Sequence, residues 1–193
     1  MRLARSASLA ACVAVLFAAP AAAFEPSHNH EPGPPVLPAT GTVQVAFTPG
    51  DDAGKLIADA INSAQHQVLV QAFSFTHRKI AEALIAARRR GVDVKVIADK
   101  DQIHRIPTSV IARIAAEGVP VFTDSDHASA HNKVMVIDAD SPNAILITGS
   151  FNFTQAAQHK NAENVLVMRE NPALIERYLK NWHHHYEHSQ PYR

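Results

Sequence analysis

The sequence predicts an α/β fold built on a mixed, partly parallel β-sheet flanked by helices. Two features carry that prediction. From Val43 to Phe122, β-prone apolar runs alternate with segments whose apolar residues recur at helical spacing, the pattern of βαβ units. From His131 to Thr154, two more apolar runs flank a turn and add an antiparallel hairpin.

Taken in order, Val43 to Phe47 reads as the first strand. Asp51 or Asp52 can cap a helix whose apolar stripe is Leu56, Ile57, Ala60 and Ile61. Val68 to Phe75 is the next strand. Thr76 is the expected N-cap of a helix through Arg90, with Ile80, Ala83, Leu84 and Ala87 on its buried face. Arg88, Arg89 and Arg90 close that helix before Gly91. They have two readings, complementing the helix dipole or contacting a nucleic-acid backbone. Val92 to Ala98 is a strand and Asp99 to Pro107 a polar loop. Thr108 to Glu117 is a helix and Val119 to Phe122 a short strand. Residues 123–130 are a loop delivering His131. After the hairpin come a short helix over Phe153–Gln158 and a strand over Asn164–Met168. A final helix, capped by Asn171 with Pro172 at its first position, runs to about His185.

The chain of 193 residues suits one folded domain, expected over residues 42–193. Residues 1–23 have the character of a secretory signal peptide: Arg2 and Arg5, an apolar run from Leu9 to Ala19, then Ala21-Ala22-Ala23. The run is too short to span a bilayer, so no stable membrane insertion is expected after cleavage, and the destination is periplasmic or secreted. Residues 24–41 are Pro-rich and aperiodic, as in a linker. Cys12, the only cysteine, lies in the expected leader, so no disulfide is expected in the mature chain. Basic and acidic residues balance at 18 each. There is no global basic footprint, and nucleic-acid contacts would have to come from a local groove.

The chemistry gathers on the hairpin. Val134–Ile137 and Ala144–Ile147 are its strands, with Asp140-Ser141-Pro142-Asn143 between them. A turn centred between Ser141 and Pro142 sets His131 opposite Asn152 and Lys133 opposite Ser150, all on one face. An imidazole, an ammonium, a hydroxyl and an amide at one end of a hairpin suit an anionic tetrahedral group such as phosphate. Asp138, an odd seven residues from His131, faces away as a structural acceptor. His183-His184-His185 point in three directions around a helix and read as surface residues. His66, His77, His104, His127 and His159 have no metal-ligand spacing, so no metal site is expected.

His131-x-Lys133-x4-Asp138 followed by Gly149-Ser150-Phe151-Asn152 resembles the HxKxxxxD signature of the phospholipase D superfamily, in particular its small single-motif bacterial endonucleases. The likeness runs from about Val45 to about Trp182. It takes in Phe47–Gly50, Phe73–Thr76, Arg88–Val96 and Asn161–Asn164. It implies a phospholipase D-like fold and a phosphodiesterase needing no cofactor, in which His131 attacks phosphorus to form a phosphohistidine. Lys133, Ser150 and Asn152 would hold the phosphoryl oxygens. Glu163 matches the family's acidic residue and would orient His131. Nucleic acid, DNA or RNA, is the leading substrate, and phospholipid head groups are the alternative. Such chemistry needs a second histidine as general acid, and the full motif occurs once. A homodimer sharing one active site is therefore expected.

Overall fold

The computed structural model describes residues 33–193. The expected leader and most of the expected linker lie outside the described residues. Residues 36–193 form one compact unit. Its eight strands are β1 (Thr42–Thr48), β2 (Gln67–Ala72), β3 (Asp93–Asp99), β4 (Val121–Asp124), β5 (Lys133–Ile137), β6 (Ile145–Gly149), β7 (Glu163–Arg169) and β8 (Gln190–Pro191). They form one sheet in the order β1-β7-β6-β5-β2-β3-β4-β8. β2, β3 and β4 are parallel neighbours, and the other pairs are antiparallel. The mixed α/β sheet is the architecture the alternation predicts.

Helices cover both faces. On one, α1 (Ala53–Ser63) and α2 (Arg78–Arg89) pack Ile57, Ile61, Ile80 and Leu84 against Val68, Val70, Val94, Val96 and Met135. The same layer holds α4 (Ile111–Ala116), through Ile111 and Ile114, and α5 (Gln155–His159), through Ala157. On the other face, α6 (Pro172–His188) lays Ile175 and Trp182 over Leu69, Ile97, Val136 and Leu146. The Trp182 indole N–H donates to the Val70 carbonyl at 3.1 Å, which fixes α6 across the centre of the sheet.

Local chemistry sets most boundaries. Asp52 caps α1 by accepting from the Lys55 N–H, and Asn171 caps α6 by accepting from that of Leu174. Two expectations need correction. His77, not Thr76, is the residue before α2, and the Thr76 hydroxyl accepts instead from the Gln155 N–H. Asp99 to Pro107 is not all loop: Asp99 caps a short helix, α3 (Lys100–Arg105), through the Gln102 N–H. The arginines that close α2 bind within the scaffold. Arg90 donates to the carbonyls of Ile61, Asn62 and Ala64 beyond α1, Arg88 to that of Gly118, and Arg89 pairs with Glu117. They sit before β3, at the opposite end of the sheet from the segment that carries His131.

His77 carries a pH prediction. The residue is 4% exposed, its ring Nδ1 has no partner, and the ring fills the space where a Cβ on Gly54 would stand. Burial holds its imidazole below the usual histidine range. Asp52 opposes this, and Lys79 and His159 reinforce it. The unfolded chain therefore binds this proton more readily than the fold. The stability is fully present above the ordinary imidazole value of about 6.5 and drains away as pH falls below it. Urea midpoints measured from neutral to mildly acidic pH should decline, and His77→Gln should flatten the decline.

Candidate active site

The pairing of β5 with β2 places the first half of the site. Residues Lys133 to Ile137 run antiparallel to Ala72 back to Val68, and the Phe73 N–H continues the ladder to the Asn132 carbonyl at 3.1 Å. Asp138 locks the far end of β5. Its φ is 49°, it is 8% exposed, and its carboxylate accepts from the backbone N–H groups of Gln65, His66 and Gln67, each at 2.8 Å. Asp138 thus fixes the register in which β5 presents His131 and Lys133, and touches neither.

At the other end of β5 the Lys133 Nζ lies 2.9 Å from His131 Nδ1 and donates to the His131 carbonyl at 2.7 Å. An ammonium can donate to an imidazole nitrogen only where that nitrogen keeps its lone pair. Lys133 Nζ also stands 3.2 Å from His131 Nε2, so the pair sets an imidazole and a positive charge side by side. The Phe73 ring packs on His131 with centroids 4.3 Å apart, and Lys133 Nζ stands 5.0 Å from the same ring. Burial lowers the Lys133 pKa from the usual lysine range, against the pull of the Glu163 carboxylate.

The hairpin register differs from the expected one. Met135 pairs with Ile147, Val136 with Leu146 and Ile137 with Ile145, which centres the turn on Ser141. That is a slip of one residue, a register in which Lys133 would fall opposite Gly149 rather than Ser150, and pairing ends at Met135. Gly149 provides the second half of the site in another way. Its φ is 151°, and a Cβ there would come within 2.3 Å of the Asn164 carbonyl of β7. Only glycine allows this close approach, which breaks the strand alternation just before Ser150.

Ser150 consequently turns toward β7. Its hydroxyl donates to Glu163 Oε2 at 2.6 Å and accepts from the Asn164 N–H at 3.1 Å. Asn161 Nδ2 donates to the other Glu163 oxygen at 2.9 Å. The expected bond from Glu163 to His131 is not formed: Glu163 is held by Ser150 and Asn161, and reaches the first half through its charge on Lys133. Asn152 is half-buried, and its side-chain carbonyl is buried without a partner. The structure adds Phe73, Asn161 and Asn164 to the expected residues. Their signal lay in the Phe73–Thr76 and Asn161–Asn164 segments.

A hydrogen-bonded His–Lys pair at one strand end, with an Asn and a Ser from the segment after β6 and a Glu that opens β7, has the chemistry to suit a phosphodiester. Comparisons with known proteins bear on the family. Residues 57–186 match the family described as Cardiolipin synthase, PLD-like domain. Phospholipase D of Rickettsia bellii is 39% identical over 140 residues, 72% of this chain and 67% of the relative. The mitochondrial cardiolipin hydrolase of Xenopus laevis is 30% identical over 141 residues, 73% of this chain and 64% of that protein. Among solved structures, the phospholipase D family member Nuc from Salmonella typhimurium superposes with a TM-score of 0.74 at 38% identity, covering 80% of this chain and 99% of that one. NucT from Helicobacter pylori shares the fold, with a TM-score of 0.69 at 23% identity. The chain belongs to the phospholipase D superfamily of phosphodiesterases.

Proposed function

We propose that the chain is a periplasmic or secreted endonuclease that hydrolyses nucleic-acid phosphodiesters without a metal ion, as a homodimer sharing one active site. The observation that carries the reading is the His131–Lys133 contact at 2.9 Å, set in a polar rim of Ser150, Asn161, Glu163 and Asn164. That rim suits a polar polymer better than an acyl chain. The superposition on nearly the whole of Nuc supports the same substrate class.

In this mechanism an imidazole nitrogen of His131 attacks phosphorus in line. The bond to the leaving oxygen breaks, and that oxygen takes a proton from His131 of the second copy. Water, losing its proton to that second histidine, then attacks phosphorus and breaks the N–P bond. Lys133 offsets the phosphoryl charge and the Asn152 amide donates beside it. Ser150 acts by holding Glu163, whose carboxylate faces the Lys133 charge. The positive charge at phosphorus comes from the lysine and a neutral donor from the amide, so in this mechanism no bound cation is called on.

An apolar stripe supports the dimer. Val43, Val45 and Phe47 alternate along the edge strand β1 and are 61%, 45% and 62% exposed. The stripe ends beside the site, with Phe47 paired to Asn164 and Thr48 to Glu163. Burying it against a second copy brings two such sites near one axis. The leader composition of residues 1–23 supports export.

The second reading, hydrolysis of phospholipid head groups, draws on the relatives named phospholipase D and cardiolipin hydrolase. One assay separates them. Purified protein in millimolar EDTA is given plasmid, single-stranded DNA, RNA and cardiolipin vesicles. Nucleic acid should be cleaved, and more weakly as salt rises, because cationic contacts to phosphate release counterions. Turnover of lipid alone would establish the second reading. Loss of cleavage that added Mg²⁺ restores would overturn the metal-independent mechanism.

A further inference from the structure

Away from the active site, four side chains from three segments of the chain converge. Asp124 ends β4 and is 1% exposed; its carboxylate faces His185 Nδ1 at 2.7 Å and His188 Nε2 at 3.2 Å, both from the last turn of α6. His127, in the loop after β4, brings its Nδ1 within 3.6 Å of the same carboxylate. One donor atom from each of the four lies within 4.8 Å of every other. His185 is therefore not the surface residue that the His183-His184-His185 run suggests: it is buried, while His183 and His184 remain exposed. The spacing His185-x-x-His188 puts two imidazoles on one helix face, and Asp124-x-x-His127 delivers the other two ligands.

We propose that Asp124, His127, His185 and His188 form a site for a divalent transition-metal ion, zinc by its ligand chemistry, that ties the loop approaching His131 to α6. Three imidazoles and one carboxylate are the donors such ions prefer, whereas calcium and magnesium take oxygen donors. Ligands on a tetrahedral zinc ion stand about 3.3 Å apart, given Zn–N bonds of about 2.0–2.1 Å. The contacts to Asp124 at 2.7, 3.2 and 3.6 Å straddle that spacing. His127, the most exposed of the three histidines, has the freedom to close the fourth corner. Four protein ligands fill a tetrahedron, so the ion is structural and leaves no open position for substrate.

The consequence falls on residues 125–130. Their far end is fixed where the Ala130 N–H donates to Asp99 at 2.9 Å, immediately before His131. The metal fixes the near end through His127, and the loop is then held at both ends. Because the ion takes no part in the phosphoryl chemistry, removing it lowers stability and leaves the His131–Lys133 pair in place.

The test uses the full-length chain, freed of any histidine tag and stripped with chelator, titrated with Co²⁺ and then with Zn²⁺. Wild type should give the intense visible bands of four-coordinate Co²⁺ at one equivalent, displaced by Zn²⁺. Zn²⁺ at about a hundredfold excess over its Kd should raise Tm by about 5–10 °C. His131→Ala and the pair His183→Ala/His184→Ala should behave as wild type. His127→Ala/His188→Ala should lose both signals. If that double variant fails to fold, the single exposed-site variant His127→Ala should weaken Co²⁺ binding at least tenfold. Absence of four-coordinate Co²⁺ in wild type would overturn the site, leaving a hydrogen-bonded Asp–His cluster. So would bands that persist in His127→Ala/His188→Ala, or bands lost with His183 and His184, the mark of loose surface chelation. None of these readouts depends on nuclease activity, so the site and the proposed function stand or fall separately.

Discussion

Replacing His131 by alanine should reduce phosphodiester hydrolysis at least about a thousandfold, the scale seen when a nucleophile is removed. His131 is exposed at the end of β5 and donates nothing to the core, so the variant should keep the wild-type circular dichroism and Tm. The measurement is single-turnover cleavage of a short labelled oligonucleotide. Near-normal cleavage would mean that another group attacks phosphorus. The same variant reads the dimer. With one site built from two copies of His131, a mixed dimer lacks either its nucleophile or its acid. When wild-type and His131→Ala chains are refolded together in varied ratio, activity should follow the square of the wild-type fraction. A straight line, with mixed dimers verified by mass, would place a complete site in each chain.

The largest effect on stability is expected at Asp138. In Asp138→Asn one carboxylate oxygen becomes an NH₂ group, a donor turned toward backbone donors at Gln65, His66 or Gln67. Asparagine tolerates the positive φ, so the loss is that of the charged acceptor. With hydrogen bonds to charged groups worth about 1.5–3 kcal/mol, a loss of about 2–4 kcal/mol is expected. In a domain of this size that lowers Tm by about 5–12 °C. Below the transition, activity should remain within a few-fold of wild type, because Asp138 sits at the far end of β5 from His131. A variant of unchanged Tm and no activity would show that Asp138 does more than fix register.

What could be read from the sequence was local. Asp52 and Asn171 signal their helices through their own side chains, and alternating apolar runs mark β2 to β4. The grouping of His131 with Lys133 needs only that they stand two apart on one strand. What could not be read depends on contacts between distant segments. The hairpin slipped by one because its register is set from outside: by Asp138 binding the amides that open β2, and by the close passage of β7 across Gly149. No pattern within residues 131–154 reports either. Glu163 was found through the likeness to a family, but its partners were not, since Ser150 reaches it only because β7 passes close to Gly149. The fourfold cluster was hidden for the same reason: Asp124 and His185 are 61 residues apart. The run of three histidines drew attention to residues that are mostly exposed, while the ligand pair lies at the i,i+3 spacing of His185 and His188.

In the proposed mechanism His131 carries the phosphoryl group during turnover. The most direct test is to quench the protein with denaturant while it is cleaving DNA radiolabelled at its internal phosphodiesters. The predicted result is a covalent protein–DNA adduct, stable to alkali and labile to acid as a phosphoramidate is, mapping to the peptide that contains His131 and absent from His131→Ala. An adduct with the opposite lability mapping to Ser150, or cleavage at full rate with no adduct at any time of quenching, would contradict it.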